Sequence, residues 1–384
     1  MNADWSFPTE VRHGAGRVVE LASACADVGV RRPLLVTDPA LASMGFTTSI
    51  LESLSQAGLA VGVFSDVRPN PTGADVEAGV SAYSAGDHDG VIALGGGSAL
   101  DAGKVIAFMS GQTGSLWDFE DIGDHWTTAA ADAIAPVIAV PTAAGTGSEV
   151  GRAGVILDEH AGRKVIVFHP RMLPAVVICD PELTVGLPRV ITVGTGMDAL
   201  SHSLEALCAP GYHPMAEGIA LEGVRLVLEN LPRVAAEPDD LEARGHMMSA
   251  AAMGAVAFQK GLGAMHALSH PIGARFGTHH GMTNAVLMPY VLHANRAAIG
   301  AVTERLCRYA GIEGGLTGLI DHVLDLRDRL DVPHTLVDLG VDPSARADVV
   351  AGAVIDPSAA GNPIPFDSDL AGAVFDAACR GDVG

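Results

Sequence analysis

Aromatic side chains are scarce in this chain: 4% of 384 residues, with three Trp and four Tyr. With 46 glycines and abundant alanine, that scarcity favours close backbone and helix packing over aromatic binding platforms. Basic residues are also few, 23 Lys and Arg against 45 Asp and Glu, for a formal net charge of −22. Such a surface repels phosphate backbones and anionic lipid, which argues against nucleic-acid and membrane-surface roles. One small anion can still be held where backbone N–H dipoles converge. Cysteine is sparse and scattered (Cys25, Cys179, Cys208, Cys307, Cys379), odd in number and without a CxxC pair. That is a reduced pattern, not a disulfide framework. No apolar run reaches membrane-spanning length, and "MNADWSFPTEVRHGAG" lacks the basic leader and apolar core of a signal peptide. The expectation is a soluble, cytoplasmic protein.

What remains is a chain 48% hydrophobic and 18% charged, composed to fold and long enough for two domains. Short β-rich runs punctuate the first half: "RPLLVTD" (32–38), "LAVGVFSDV" (59–67), "DGVIALGGG" (89–97), "APVIAVPT" (135–142) and "AVVICDP" (175–181). Stretches with apolar residues at helical spacing lie between the earlier ones, the pattern of a parallel sheet covered by helices. "GVILDEH" followed by "AGRKVIVFHP" reads as a hairpin added to that sheet. Beyond the turn-rich "DPELTVGLP", long Ala/Leu/Met-rich periodic segments take over. The expected division is an α/β domain over 1–185, with helices on both faces of its sheet, and an all-α domain over 186–384.

"VIALGGGSALDAGKVIAF" (91–108) joins a buried strand to an amphipathic helix through three glycines and a serine. Glycines there let the backbone approach an anion, and the helix start supplies free N–H groups and the positive dipole end. The motif is neither a Walker loop nor the six-residue dinucleotide fingerprint, and a turn serving only tight packing has the same composition. A second polar turn, "AVPTAAGTGSEVG" (139–151), offers hydroxyls from Thr142, Thr146 and Ser148. Two such loops at successive strand ends suit a ligand lying across the carboxyl edge of a parallel sheet. Asp38 follows the strand "PLLVT", where a carboxylate suits ribose hydroxyls and repels a 2′-phosphate, favouring NAD over NADP. Asp at a strand end is equally a routine turn former.

In "GTGMDALSHSLEAL", Asp198 and His202 are four residues apart in a helical pattern, on one face and one turn from each other. "HALSHPIGARFGTHHG" holds His266 and His270 at the same spacing, with Pro271 marking a kink or break directly after. His279 and His280 follow "GARFGT", which reads as a loop, and precede the helical run "MTNAVLMPYVLHAN". Asp198, His202 and two of the later histidines make a shell of one carboxylate and three imidazoles, suited to Fe(II) or Zn(II).

Together these stretches resemble the iron-containing (group III) alcohol dehydrogenase family. The matches are "PNPT" (69–72), "GGGSALDAGK" (95–104), "PTAAGTGSEV" (141–150), "GMDALSHSLEA" (196–206) and "GLGAMHALSHPIGARFGTHHGMTNAVLMPYV" (261–291). The resemblance implies a dehydroquinate synthase-like architecture: an N-terminal dinucleotide-binding domain and a helical metal-bearing domain. It implies that Asp198, His202, His266 and His280 hold a divalent metal, Fe2+ or Zn2+. His270 then lies near nicotinamide and substrate, and His279 is a solvated neighbour. Gly95, Gly96, Gly97 and Ser98 match the pyrophosphate loop; Asp101 and Lys104 match positions serving packing and capping as much as ligand contact. Thr142, Thr146 and Ser148 match the second cofactor-facing segment, and Asp38 the acidic position of NAD-preferring members.

The activity so implied is an NAD-dependent, metal-dependent alcohol dehydrogenase or aldehyde reductase, an oxidoreductase acting on CH–OH groups, with a small alcohol or carbonyl substrate. The family also suggests a homodimer or higher homo-oligomer. One rival within the class is a reductase of a carboxylated carbonyl compound, of the maleylacetate or hydroxyacid–oxoacid type, for which Arg152 is a candidate anion contact. A rival outside the class is a dehydroquinate synthase-like lyase. It needs several Lys and Arg around the metal, and the helical half is poor in them there.

Overall fold

The computed structural model describes Phe7 and residues 9–384. Two compact units emerge: one of residues 7–143 and 147–186, the other of residues 144–146 and 187–384. The first contains β1 (Glu10–His13), α1 (Leu21–Asp27), β2 (Pro33–Val36), α2 (Pro39–Ala42), α3 (Gly45–Gln56), β3 (Gly62–Phe64) and α4 (Gly73–Ala85). It continues with β4 (Gly90–Gly95), α5 (Gly97–Met109), β5 (Val137–Pro141), β6 (Ala153–Asp158), β7 (Arg163–Phe168) and β8 (Val176–Cys179). Six strands form one sheet in the order β1-β8-β5-β4-β2-β3, every pairing parallel.

The near-continuous apolar runs of β2, β4, β5 and β8 are buried throughout, as a sheet covered on both faces requires. Alternation sorts the layers. Ile92, Leu94, Ile138, Val140 and Ile178 pack with Leu21, Ala24, Ile50 and Leu54 of α1 and α3. Val91 and Ala93 face the other way, against α5, where Gly103 comes so close that a Cβ would stand 2.6 Å from that of Ala93. β1, "EVRH", is a mostly exposed edge strand that the apolar pattern does not announce.

The segment 153–168 does not extend this sheet, contrary to the sequence expectation. β6 and β7 pair only with each other among the strands, as a separate antiparallel ribbon. The reason is its anchorage on α5: a Cβ at Gly154 would lie 2.5 Å from Val105, and Val155 N–H donates to Asp101 at 3.1 Å.

The second unit holds α6 (Arg189–Cys208), α7 (Pro214–Ala236), α8 (Leu241–Ala257), α9 (Ala264–Phe276), α10 (His280–Ala294), α11 (Arg296–Ala310), α12 (Gly315–Arg329), α13 (Arg346–Val354) and α14 (Ser368–Arg380). α6 is buried almost all round, the mark of a central helix, with α7, α8 and α10 against it. Glycines set those distances. A Cβ at Gly254 of α8 would stand 3.0 Å from His202 Cβ, and one at Gly281 of α10 only 2.0 Å from the Gly194 carbonyl oxygen of α6. No helix among the described residues is long and apolar enough to cross a membrane.

Candidate metal and nucleotide sites

α6 presents Asp198, His202 and Glu205 at i, i+4 and i+7, one stripe of a single helix face. α9 supplies His266 and His270 from successive turns. It runs unbroken through Pro271 to Phe276, where the sequence suggested a kink or break and then a loop. Proline removes one N–H without ending the helix here, and Gly352 of α13 leaves room for its ring: a Cβ at 352 would lie 2.9 Å from Pro271 Cβ. Gly277, in the left-handed conformation, terminates α9 (φ 66°). His280 opens α10, whose first turn is capped by the side chain of His279, accepting from Met282 N–H at 3.4 Å.

Four side chains gather. The donor atoms of Asp198, His202 and His266 lie within 4.8 Å of one another. His280 joins through Asp198: Asp198 Oδ1 stands 3.6 Å from His280 Nε2, 3.9 Å from His202 Nε2 and 4.0 Å from His266 Nε2. Four donors at about 2.1 Å from one ion in a tetrahedron stand about 3.4 Å apart. Asp198 already stands near that distance from each ring, and the rings themselves must draw together to share one first-row divalent metal. A second observation bears on the fit. The Asn284 amide nitrogen lies 2.9 Å from Asp198 Oδ1, 3.2 Å from His280 Nε2 and 3.3 Å from His266 Nε2. One carboxylate oxygen and two imidazole nitrogens therefore meet around a single donor amide.

Asp198, His202 and His266 are almost wholly buried, while His280 and His270 keep about a quarter of their side chains exposed (28% and 25%), so one side is open to a small molecule. Burial, and then the neighbouring His202, hold His266 well below the ordinary imidazole range, leaving it neutral and able to ligate. Two carboxylates that sequence reasoning missed support the imidazoles. Glu205 Oε2 is 2.6 Å from His266 Nδ1, and Asp356 Oδ2 is 2.8 Å from His270 Nδ1. Burial pushes the Glu205 carboxyl up to about 7, against the backbone N–H groups of Met265 and Gly263. Burial alone would raise Asp356 too, but the hydrogen bond and charge of His270 hold it below the usual carboxylate range. The i+7 position of Glu205 was a legible signal. Asp356, 86 residues from its partner, had none.

In the α/β unit, Gly95 ends β4 at φ 149°, a conformation side chains rarely adopt, with Ala99 2.7 Å from where a Cβ would sit. Gly96 precedes α5, whose N-terminus no side chain caps, and Gly97 and Ser98 form its first turn. Free N–H groups and the dipole therefore face outward from a backbone without side-chain bulk. Ser98 Oγ accepts from Asn70 N–H at 3.4 Å, and the buried Thr142 donates its N–H to Gly95 O at 3.0 Å. Asp38 Oδ1 caps α2, accepting from Ala40 and Leu41 N–H, both at 2.9 Å, while Oδ2 lies on the side of Gly95.

Asp101, Lys104 and Ser148 are tied into a network of their own. Ser148 Oγ donates to Asp101 Oδ1 at 2.5 Å, and Lys104 Nζ reaches that same oxygen at 3.3 Å. Lys104 also donates to the carbonyls of Ser148, at 2.9 Å, and of Ala153. Both Asp101 oxygens are thus engaged in holding α5 to the 148–155 segment. Thr146 falls in the short stretch that belongs to the helical unit, where Gly145 lies against Thr195.

Comparison with known proteins agrees with this description. Residues 8–181 match the model of the iron-containing alcohol dehydrogenases, and residues 192–379 that of the C-terminal region of the same family. The 4-hydroxybutyrate dehydrogenase of Cupriavidus necator is 40% identical over 359 residues, covering 91% of this chain and 93% of its own. A solved 1,3-propanediol oxidoreductase superposes with a TM-score of 0.92 at 30% identity, over 98% of this chain and 100% of the other. The sulfoacetaldehyde reductase of Bifidobacterium kashiwanohense, solved with NAD+, gives 0.90 at 29% identity, over 98% and 99%. This chain belongs to the iron-containing alcohol dehydrogenase family.

Proposed function

We propose that the protein is an NAD-dependent, divalent-metal-dependent alcohol dehydrogenase or aldehyde reductase, with Asp198, His202, His266 and His280 as metal ligands. The observation that carries it is the convergence of one carboxylate and three imidazoles on one region open on the His270 and His280 side. A divalent metal held there supplies Lewis acidity toward the substrate oxygen, and NAD supplies the hydride chemistry. This chain's residues do the rest. Gly95, Gly96, Gly97 and Ser98 offer N–H groups to the pyrophosphate, with Thr142, Thr146 and Ser148 framing the adjoining turn. Asp38 Oδ2 takes the ribose hydroxyls while Oδ1 stays on α2. His270, its Nδ1–H held by Asp356, keeps Nε2 for the alcohol proton.

The test is metal analysis of protein purified without chelators, followed by NADH absorbance against a panel of aldehydes. About one equivalent of iron or zinc and turnover with simple aldehydes is the expected result. No turnover with any carbonyl compound would favour the lyase rival. His270→Gln should lower kcat at least tenfold with metal content unchanged. A second reading concerns the substrate. The 40% identical relative is named for 4-hydroxybutyrate, and the sulfoacetaldehyde reductase likewise for an anionic aldehyde. An ω-carboxylated aldehyde therefore belongs in the panel, with Arg152 as the residue to vary. The five free cysteines suit a reducing, cytoplasmic setting, and the exposed edge strand β1 suits pairing in a homo-oligomer, measurable by light scattering.

A further inference from the structure

We propose that Glu205 is the positioning residue of this site: its carboxylate fixes the tautomer and orientation of His266, so that the Nε2 lone pair points at the metal position. The inference rests on the ligand set proposed above. Glu205 is buried on α6 and reaches α9 twice. Oε1 accepts from Met265 N–H at 2.7 Å, in the first turn of α9, and Oε2 lies 2.6 Å from His266 Nδ1 on the adjacent residue. A carboxylate held by both the helix backbone and the ring cannot turn without breaking one of the bonds.

The tautomer follows from two independent neighbours. On one side, the ionised Glu205 carboxylate, its Oε1 already accepting from Met265 N–H, accepts through Oε2 and so places the proton on Nδ1. On the other, the Asn284 amide nitrogen is 3.3 Å from His266 Nε2 and 2.9 Å from the acceptor Asp198 Oδ1, which makes it a donor and Nε2 an acceptor. Both neighbours demand the same ring: proton on Nδ1, lone pair on Nε2. His202 has no such support, its buried Nδ1 lacking any partner among the described residues.

The surroundings are shaped to admit this carboxylate. Gly263 precedes α9 without a capping side chain, and a Cβ there would stand 3.1 Å from Glu205 Oε1 and 3.2 Å from Asn362 Oδ1. Asn362 and Asn295 exchange amide hydrogen bonds of 2.9 and 3.0 Å, and Asn362 Oδ1 also accepts from Ala264 N–H at 3.3 Å. Behind Glu205 a cavity of about 10 Å³, room for a single water, is lined by Cys208, Asn295 and Asn362 among others. A carboxylate–imidazole–metal relay of this kind contributes roughly 10–100-fold to metal affinity.

Glu205→Gln separates this role from simple helix capping. The amide oxygen can still accept from Met265 N–H, but its NH2 can only donate to His266 Nδ1. That forces the proton to Nε2 and removes the ligating lone pair. Cobalt(II) affinity, measured by competition with a chromophoric chelator, should fall 10–100-fold, while the metal-free variant melts near wild type. Unchanged affinity in a folded Gln variant overturns the proposal. Asp198→Ala and His266→Ala run beside it: if they too keep wild-type affinity, the ligand set itself is wrong. Should the Gln variant not fold, imidazole 15N resonances of the wild-type metal-free protein decide. His266 protonated on Nδ1 is expected, and His266 protonated on Nε2 overturns the proposal.

Discussion

His279 and His280 are neighbours in the chain with separate tasks. His280 directs Nε2 to within 3.6 Å of Asp198, whereas His279 turns its ring onto the first turn of α10 and against Gly194. His280→Ala should therefore abolish stoichiometric metal retention. His279→Ala should retain the metal and cost about 1 kcal/mol of stability through the lost cap. Elemental analysis and thermal melts of the two variants check this, and the opposite pattern would reverse the assignment. Asp38 caps α2 through Oδ1, and the proposed ribose contact falls to the other oxygen of the same carboxylate. Asp38→Ser keeps an N-cap acceptor and removes the charge, so the NAD-over-NADP ratio of kcat/KM should fall at least tenfold with the melting temperature little changed. An unchanged ratio would mean that Asp38 does not face the ribose.

At the scale of elements, the donor cluster depends on how closely helices cross. A Cβ at Gly281 would meet the Gly194 carbonyl oxygen at 2.0 Å and Asp198 Cβ at 2.9 Å, on the residue after His280 and at the base of Asp198. Gly281→Ala must push α10 from α6, at a cost of roughly 1–3 kcal/mol, and should lose metal though no ligand has changed. Calorimetry with metal analysis reads both effects; an Ala variant with full metal content would show that α10 can shift freely. Pro271 and the segment 153–168 carry the same lesson. Proline lies inside α9 because its neighbour on α13 is a glycine, and the β6–β7 ribbon stays off the main sheet because α5 holds it.

For the whole molecule, the buried Glu149 and the proposed metal set how stability responds to conditions. Burial raises Glu149 from its ordinary 4.5 to about 7, against a backbone hydrogen bond and then the charge of Lys104. The folded state then holds this proton more tightly than the unfolded chain, so the residue costs stability as pH rises from 4.5 through about 7. Glu149→Gln should stabilise by about 1–3 kcal/mol at pH 8 and by little at pH 4, read from melts across that range. Gains independent of pH would indicate altered packing instead. Removal of bound metal with chelator should lower melting of the helical unit and leave the α/β unit nearly unchanged, because the proposed ligands lie on α6, α9 and α10. Circular dichroism should register the first change most, the helical unit carrying most of the helix.

What the chain determines locally is legible in one dimension. Buried parallel strands declare themselves as apolar runs, the glycine-rich β4–α5 turn as a close approach, and Asp198 with His202, or His266 with His270, as partners one turn apart. Such patterns depend only on backbone period, which sequence order sets directly. Which histidine beside His266 turns to the carboxylate, which carboxylate orients which ring, and whether Asp101 faces a ligand or a lysine depend on contacts between elements far apart in the chain. Glu205 meets His266 across 61 residues and Asp356 meets His270 across 86, and only the packing of helices on glycine-sized gaps brings those atoms within hydrogen-bonding distance.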